Sequence, residues 1–195
     1  MAMQNTKCIV LGEKGVGKTS LLITFTESRF PWDFIHTWEN FTCGCETKGL
    51  FFNLALWETC YGEWSKYRHL SYPETDVFII CFSISDRSSF RKVKDWVEEV
   101  REHCPNAKVF VVLTKLDLRN DPATNEQMKE LGETLISEEE GRELATEVGA
   151  DKYLECSSIQ KVNLKELFEE ACYSSYMASC SNPIRKKKKE LCQIM

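Results

Sequence analysis

Apolar runs of strand length recur along the chain, at Lys7-Cys8-Ile9-Val10-Leu11, Val77–Phe82 and Val109–Leu113. Such unbroken runs read as strands buried on both faces. Two more strands are predicted at Cys43–Thr47 and Leu50–Trp57, and a short one at Lys152–Cys156. Between the runs the period becomes helical. A helix is predicted over Lys18–Thr26, and Phe90, Val93, Trp96, Val97 and Val100 share one face of another, with Ser88 or Ser89 as its expected cap. Ser137 and Glu140 form a capping box ahead of a helix that runs through Glu147. Asn163 opens a last helix, striped by Leu164, Leu167, Phe168, Ala171 and Cys172. The polar stretch Arg119–Glu133, which includes Pro122, is expected to hold an extra surface helix. Strands alternating with helices predict an α/β fold, a mostly parallel six-stranded sheet with helices on both faces.

Composition narrows this picture. The chain has 195 residues, 43% hydrophobic and 28% charged, which is one globular domain with a tail. Its longest apolar run, Val77–Phe82, falls far short of the roughly 20 residues of a membrane helix. The start, MAMQNTK, has neither a secretory signal nor the Gly needed for myristoylation, so a cytosolic chain is expected. The ten cysteines contain no CxxC and are expected to be reduced thiols packed as small hydrophobes. The net charge of −5 hides a basic run at 185–189 that holds five of the 25 Lys and Arg. Without residues 185–195 the body has 20 basic against 29 acidic residues, about −9, which disfavours nucleic acid as a partner.

The chemistry lies in the turn after the first strand. Gly12-Glu13-Lys14-Gly15-Val16-Gly17-Lys18-Thr19 completes a GxxxxGK[ST] pattern between a strand and a helix. Its glycines let successive N–H groups from Glu13 through Ser20 wrap a phosphate chain at a helix N-terminus. Lys18 is placed to reach the β- and γ-phosphates, and the Thr19 hydroxyl to bind Mg²⁺. Thr114-Lys115-Leu116-Asp117, directly after a buried strand, selects the base. A carboxylate at Asp117 can accept both the N1–H and the N2 amino hydrogens of guanine, and adenine has no such donor pair. Leu118 continues this loop, and Ser157-Ser158 after the next strand supply a second base loop.

With these motifs in place the chain resembles the Ras-superfamily small GTPases, and within them the Rho/Rac family. The resemblance runs through GEKGVGKTSLL, Leu70-Ser71-Tyr72-Pro73, TDVFIICFS at 75–83, His103-Cys104-Pro105-Asn106, TKLDLR and Tyr153-Leu154-Glu155-Cys156-Ser157. It implies a P-loop NTPase fold (a Ras-like G domain) over 1–178, with a Rho-type insert helix near 122–133 and a flexible tail over 179–195. It also implies GTP and GDP as ligands with Mg²⁺, Phe30 packed on the guanine ring, and Thr37 and Glu58 at the metal, Glu58 through water. Effectors would bind through Phe34–Phe41 and the switch at 61–73. Exchange factors and guanine-nucleotide dissociation inhibitors are the other partners it suggests, with the chain a monomer.

Three departures from the family pattern fall on hydrolysis. The third P-loop residue, usually Gly, is Lys14, beside the γ-phosphate where an attacking water and a partner's arginine finger must fit. The usual Asp-Thr-Ala-Gly-Gln-Glu reads Glu58-Thr59-Cys60-Tyr61-Gly62-Glu63, so no Gln orients the water. The count to Leu70 is one residue short, and Gly62 stands at or next to the position of the missing Gln. Since an arginine finger alone contributes about 10³–10⁵ in rate, slow hydrolysis is expected. Two rivals stand beside it: a permanently GTP-loaded scaffold, and a cycling GTPase that uses Lys14 or Glu63 in place of the Gln. Trp38, in the switch loop, reads as an effector anchor or a core residue, while His36, His69 and His103 show no metal or catalytic spacing.

The chain ends Cys192-Gln193-Ile194-Met195, a CaaX sequence that favours farnesylation of Cys192. One prenyl chain holds a protein only marginally, and Arg185–Lys189 supply the second signal, at about 1 kcal/mol per basic residue on an anionic leaflet. Cys180 is a candidate palmitoylation site. The expected location is the cytoplasmic face of the plasma membrane or endomembranes, with a cytosolic pool and a role in actin organisation.

Overall fold

The computed structural model describes residues 3–33, 40–59 and 62–181, without the side chains of 62–66. Six strands form one sheet: β1 Gln4–Leu11, β2 Asn40–Thr47, β3 Leu50–Glu58, β4 Val77–Ser83, β5 Lys108–Thr114 and β6 Lys152–Glu155. Their order is β2-β3-β1-β4-β5-β6. Only β2–β3 is antiparallel, with Thr47 opposite Leu50 across a tight turn. The helices are α1 Lys18–Glu27, α2 Arg87–His103, α3 Pro122–Glu130, α4 Glu138–Glu147 and α5 Leu164–Ser181. Two 3₁₀ segments, Gly62–Ser71 and Leu116–Asn120, complete the path. The α/β class, the parallel sheet and its six strands are therefore as the hydrophobic pattern predicts.

Each predicted apolar run is central because helices cover both of its faces. Cys8 and Val10 of β1 face Leu21, Leu22, Leu167 and Phe168 of α1 and α5. Ile9 and Leu11 face Val93, Trp96, Val97 and Val100 of α2 on the other side. At about 1.5–3 kcal/mol for each large apolar side chain buried, these two layers supply the main driving force for folding. None of the eight described cysteines is in a disulfide, five of them are buried, and burial pushes the Cys81 thiol up to about 12. Trp96 is buried and Trp57 half-buried, both in the α2-side layer.

The cap of α2 differs from expectation. Asp86 is the N-cap, accepting from the backbone N–H of Ser88 and Ser89 at 3.0 and 3.1 Å, because one carboxylate can satisfy two orphan donors at once. Ser89 instead lies buried, its hydroxyl accepting from Ser83 N at 3.1 Å and donating to Asp86 O at 2.7 Å. The Ser137–Glu140 capping box forms in both directions. The polar stretch holds α3, capped by Asp121 with Pro122 in its first turn. Asn163 precedes α5 at φ +59°, and its side chain donates to Glu155 O at 2.8 Å. The last helix runs on to Ser181, so residues 179–181 of the expected tail are helical. No helix among the described residues is long and apolar enough to cross a membrane.

Candidate functional site

Parallel strands deliver their C-terminal ends to one edge of the sheet, and the motif residues gather there. The turn 12–17 leaves β1 and opens α1. Gly12 has φ +133°, and a Cβ there would lie 2.2 Å from the carbonyl oxygen of Cys81 on β4. Only glycine lets the two backbones approach so closely. Gly15 and Gly17 also have positive φ, +82° and +97°, which curls the turn into the start of α1. Val16 is fully buried and anchors the turn to the core.

Lys18 folds back over this turn, donating to Gly12 O at 3.0 Å and Glu13 O at 2.8 Å. Burial lowers its pKa to about 8, against the opposing pull of the Glu58 carboxylate. The Thr19 hydroxyl donates to Glu58 Oε1 at 2.8 Å, which joins the start of α1 to the end of β3. Lys14 is exposed and has no side-chain partner among the described residues. Glu13, Thr19 and Ser20 are half-buried around the turn.

The second motif packs against the first. Thr114 is buried at the end of β5, and its hydroxyl contacts Val16 O at 2.5 Å and Phe82 O at 2.9 Å. This residue, read from the sequence as part of the guanine set, thus ties the base loop to the phosphate turn. Lys115 adopts a left-handed conformation, φ +57°, and its side chain passes beside Gly17, where a Cβ would be 3.9 Å from Cε. Asp117 accepts from the Ser157 hydroxyl, so the two base loops meet. Leu116 N donates to Cys156 O at 3.0 Å across the same junction. Leu118 packs under the loop, Ser157 is buried and Ser158 is half-buried. Phe30 follows α1, half-buried, with the ring of Trp32 edge-on at 4.9 Å.

A third group lies in the segment read as the switch at 61–73, and no local sequence pattern announces its contacts. The 3₁₀ segment Gly62–Ser71 is far longer than such runs usually are, and its C-terminal end is clamped from two sides. Arg68 forks onto Glu99 of α2, with Nε to Oε1 at 2.8 Å and Nη2 on Oε2, while its guanidinium lies 4.4 Å over Trp96. Tyr72 donates to Glu99 Oε1 at 2.7 Å. Burial alone would raise the Glu99 pKa, but the bonds from Arg68 and Tyr72 outweigh it and hold the carboxyl below its usual range. On the other side Lys7 Nζ donates to Ser71 O at 2.6 Å and Pro73 O at 2.9 Å. His69 and His103, unrelated by sequence spacing, bring their rings to 5.2 Å. His36, Thr37 and Trp38, with the rest of Phe34–Glu39, lie outside the described residues, as do Cys60, Tyr61, Arg185–Lys189 and Cys192.

A glycine turn opening a helix, a buried lysine across it and a carboxylate loop beside it define a P-loop nucleotide-binding protein of α/β type. The Ras family model matches residues 7–176, most of the chain, and the protein belongs to that family. It is a small GTPase, a GTP-hydrolysing molecular switch of a family that binds GTP and GDP with Mg²⁺ and works through effectors and exchange factors. The donor set at the turn suits Mg²⁺: Thr19 and Glu58 present a hydroxyl and a carboxylate 2.8 Å apart, and both are the hard oxygens this ion prefers.

Proposed function

We propose that this small GTPase is a Rho-type, membrane-associated switch that binds GTP firmly and hydrolyses it slowly. The backbone N–H groups of Glu13 through Ser20 and the Lys18 ammonium hold the phosphates. Asp117 reads the base, with Thr114, Lys115, Leu118, Ser157 and Ser158 forming its loops and Phe30 packing on the ring. Thr19, Glu58 and Thr37 would hold Mg²⁺, Glu58 through water. An ion held there would supply positive charge to the phosphates.

The observation that carries the reading is the contrast between Lys18 and Lys14. Lys18 is buried against the turn, whereas Lys14, at the turn's third position, is exposed and has no partner among the described residues. Its ammonium is free to swing over the γ-phosphate side, where it crowds an incoming arginine, and Tyr61-Gly62 carry no amide to hold a water in line. The GTP-bound form recruits effectors through Phe34–Phe41 and 61–73. Farnesyl on Cys192 together with Arg185–Lys189 anchors the chain to the cytoplasmic face of the plasma membrane or endomembranes, and the Rho resemblance points to actin organisation. Cys180, exposed in the last turn of α5, is available for a second acyl chain.

Identifying the nucleotide released on denaturing freshly purified protein tests the slow-hydrolysis reading: GTP is expected, and GDP alone overturns it. Asp117→Ala should lower GDP and GTP affinity at least tenfold by calorimetric titration, because a charge-assisted bidentate contact is lost. Cys192→Ser should move the protein from membrane to cytosolic fractions, and unchanged sedimentation places the anchor elsewhere.

A further inference from the structure

Trp32 is the most exposed large apolar side chain among the described residues, at 75%. Such exposure would be unremarked if the segment leading to it were slack, but the chain before the ring is pinned at two points. Upstream, α1 ends at Ser28 in a left-handed conformation, and the Ser28 carbonyl accepts from Lys161 Nζ at 2.7 Å. Lys161 belongs to the turn closed by the Ser157–Val162 bridge, and Ser157 is the residue that meets Asp117. The backbone before Phe30 is thereby tied to the base loops. Beside the ring, Pro31 is buried and fixes φ, so the chain between Phe30 and Trp32 has little freedom.

Among the described residues the one ring contact of Trp32 is to Phe30, at 4.9 Å between centroids and 64° between planes. That edge-on arrangement is the one aromatic quadrupoles favour. It leaves the rest of the indole surface bare, next to the residue read as the guanine-packing ring. We propose that Trp32 is a nucleoside-positioning residue of this GTPase. It braces Phe30 against the base and is itself shielded from solvent when guanine nucleotide is bound. The proposal rests on the guanine reading of Asp117 and Phe30. An exposed aromatic can also anchor a protein partner, but a partner anchor would respond neither to bound nucleotide nor to its rate of release.

The test uses the full chain in two measurements. In the first, iodide quenching is compared for GDP·Mg²⁺-loaded and nucleotide-free protein, with the Trp32 signal taken as wild type minus Trp32→Phe. The Trp32 signal should be markedly less quenched with GDP bound, and equal quenching in the two states overturns the proposal. In the second, release of a fluorescent GDP analogue is chased with excess GDP. Trp32→Ala should release it about five- to tenfold faster, the scale of one aromatic pair, and Trp32→Phe within about twofold of wild type. Because the two rings act together, adding Trp32→Ala to Phe30→Ala should accelerate release by less than the product of the single effects. If Phe30→Ala and Asp117→Ala accelerate release while Trp32→Ala does not, this inference alone fails. If none of the three changes it, the guanine reading fails with it.

Discussion

On the base side of the phosphate turn, every part is fastened to another part that is itself in the core. Thr114 holds Val16 and Phe82, Asp117 meets Ser157, and Gly12 sits against the Cys81 carbonyl. On the γ-phosphate side the described fastenings are few: the Thr19–Glu58 bond near the metal position, and the Arg68–Glu99 clamp further along. Lys14 is exposed there, with no partner among the described residues. The first region is set by strand ends, whereas the described contacts of the second come from the end of β3 and from the 3₁₀ segment. Changes on the base side should therefore cost stability together with affinity, and changes on the γ-phosphate side should alter rates while the fold stays intact.

The largest expected effect tests the base side at its tightest point. Gly12→Ala puts a Cβ at 2.2 Å from a β4 carbonyl oxygen with φ at +133°, and neither backbone can retreat without unpairing β1 from β4. A loss of about 3 kcal/mol or more in thermal or urea unfolding is expected. Gly15→Ala is the control: its φ is +82° but nothing lies within 4 Å of the added Cβ, so only the conformational penalty of about 1 kcal/mol applies. Equal losses in the two variants would mean that the close approach to Cys81 does not matter.

Next in size is Thr114→Val, which keeps the shape and removes the hydroxyl. Two carbonyl contacts disappear at a buried site, and about 1–3 kcal/mol of stability should go with them. Nucleotide affinity should fall in the same variant, because the Val16 carbonyl belongs to the phosphate turn. A stable variant with normal affinity would show that the two motifs are not coupled through this side chain.

The clamp on the γ-phosphate side predicts a smaller, pH-dependent effect. Glu99 has a lower pKa folded than its ordinary value of 4.5, so the unfolded chain binds its proton first as pH falls. The clamp's contribution is present above about pH 4.5 and is lost as pH drops through the lower folded value. For a part-exposed pair this is about 1 kcal/mol. Glu99→Gln should remove that share of the acid dependence of unfolding, while GDP affinity at pH 7 stays within about twofold of wild type. An unchanged acid profile would discount the clamp.

The same contrast governs what could be read before the fold was known. The P-loop, the TKLD loop and the Ser137–Glu140 box are runs of neighbouring residues whose spacing carries their geometry, and the apolar runs of β1, β4 and β5 mark strands covered on both faces. The Arg68–Glu99 clamp joins residues 31 apart, and the Lys161–Ser28 tether joins residues 133 apart. No local period reports such pairs. Thr114 is a subtler case, since the motif singles it out at the end of a buried strand but carries no sign that its hydroxyl turns inward to the phosphate turn. Asp86 displaced the two serines as cap for a reason the sequence did contain, a carboxylate one residue before the helix.

The smallest structural effect belongs to Lys14→Gly, and for that reason it isolates chemistry from folding. An exposed side chain without partners among the described residues should change stability by no more than about 0.5 kcal/mol, apart from the added freedom of a glycine in the turn. Intrinsic GTP hydrolysis should barely move, because nothing has been added to orient the water. Hydrolysis stimulated by a Rho-type activating protein should rise, since the space for an arginine finger is reopened. Adding Gly62→Gln should then raise the stimulated rate by more than the product of the two single effects, as positioning groups act together. Single-turnover release of the γ-phosphate measures all four proteins. If Lys14→Gly slows the intrinsic reaction, the lysine stabilises charge on the phosphates in cis, and the γ-phosphate side of this switch is rebuilt for hydrolysis and not against it.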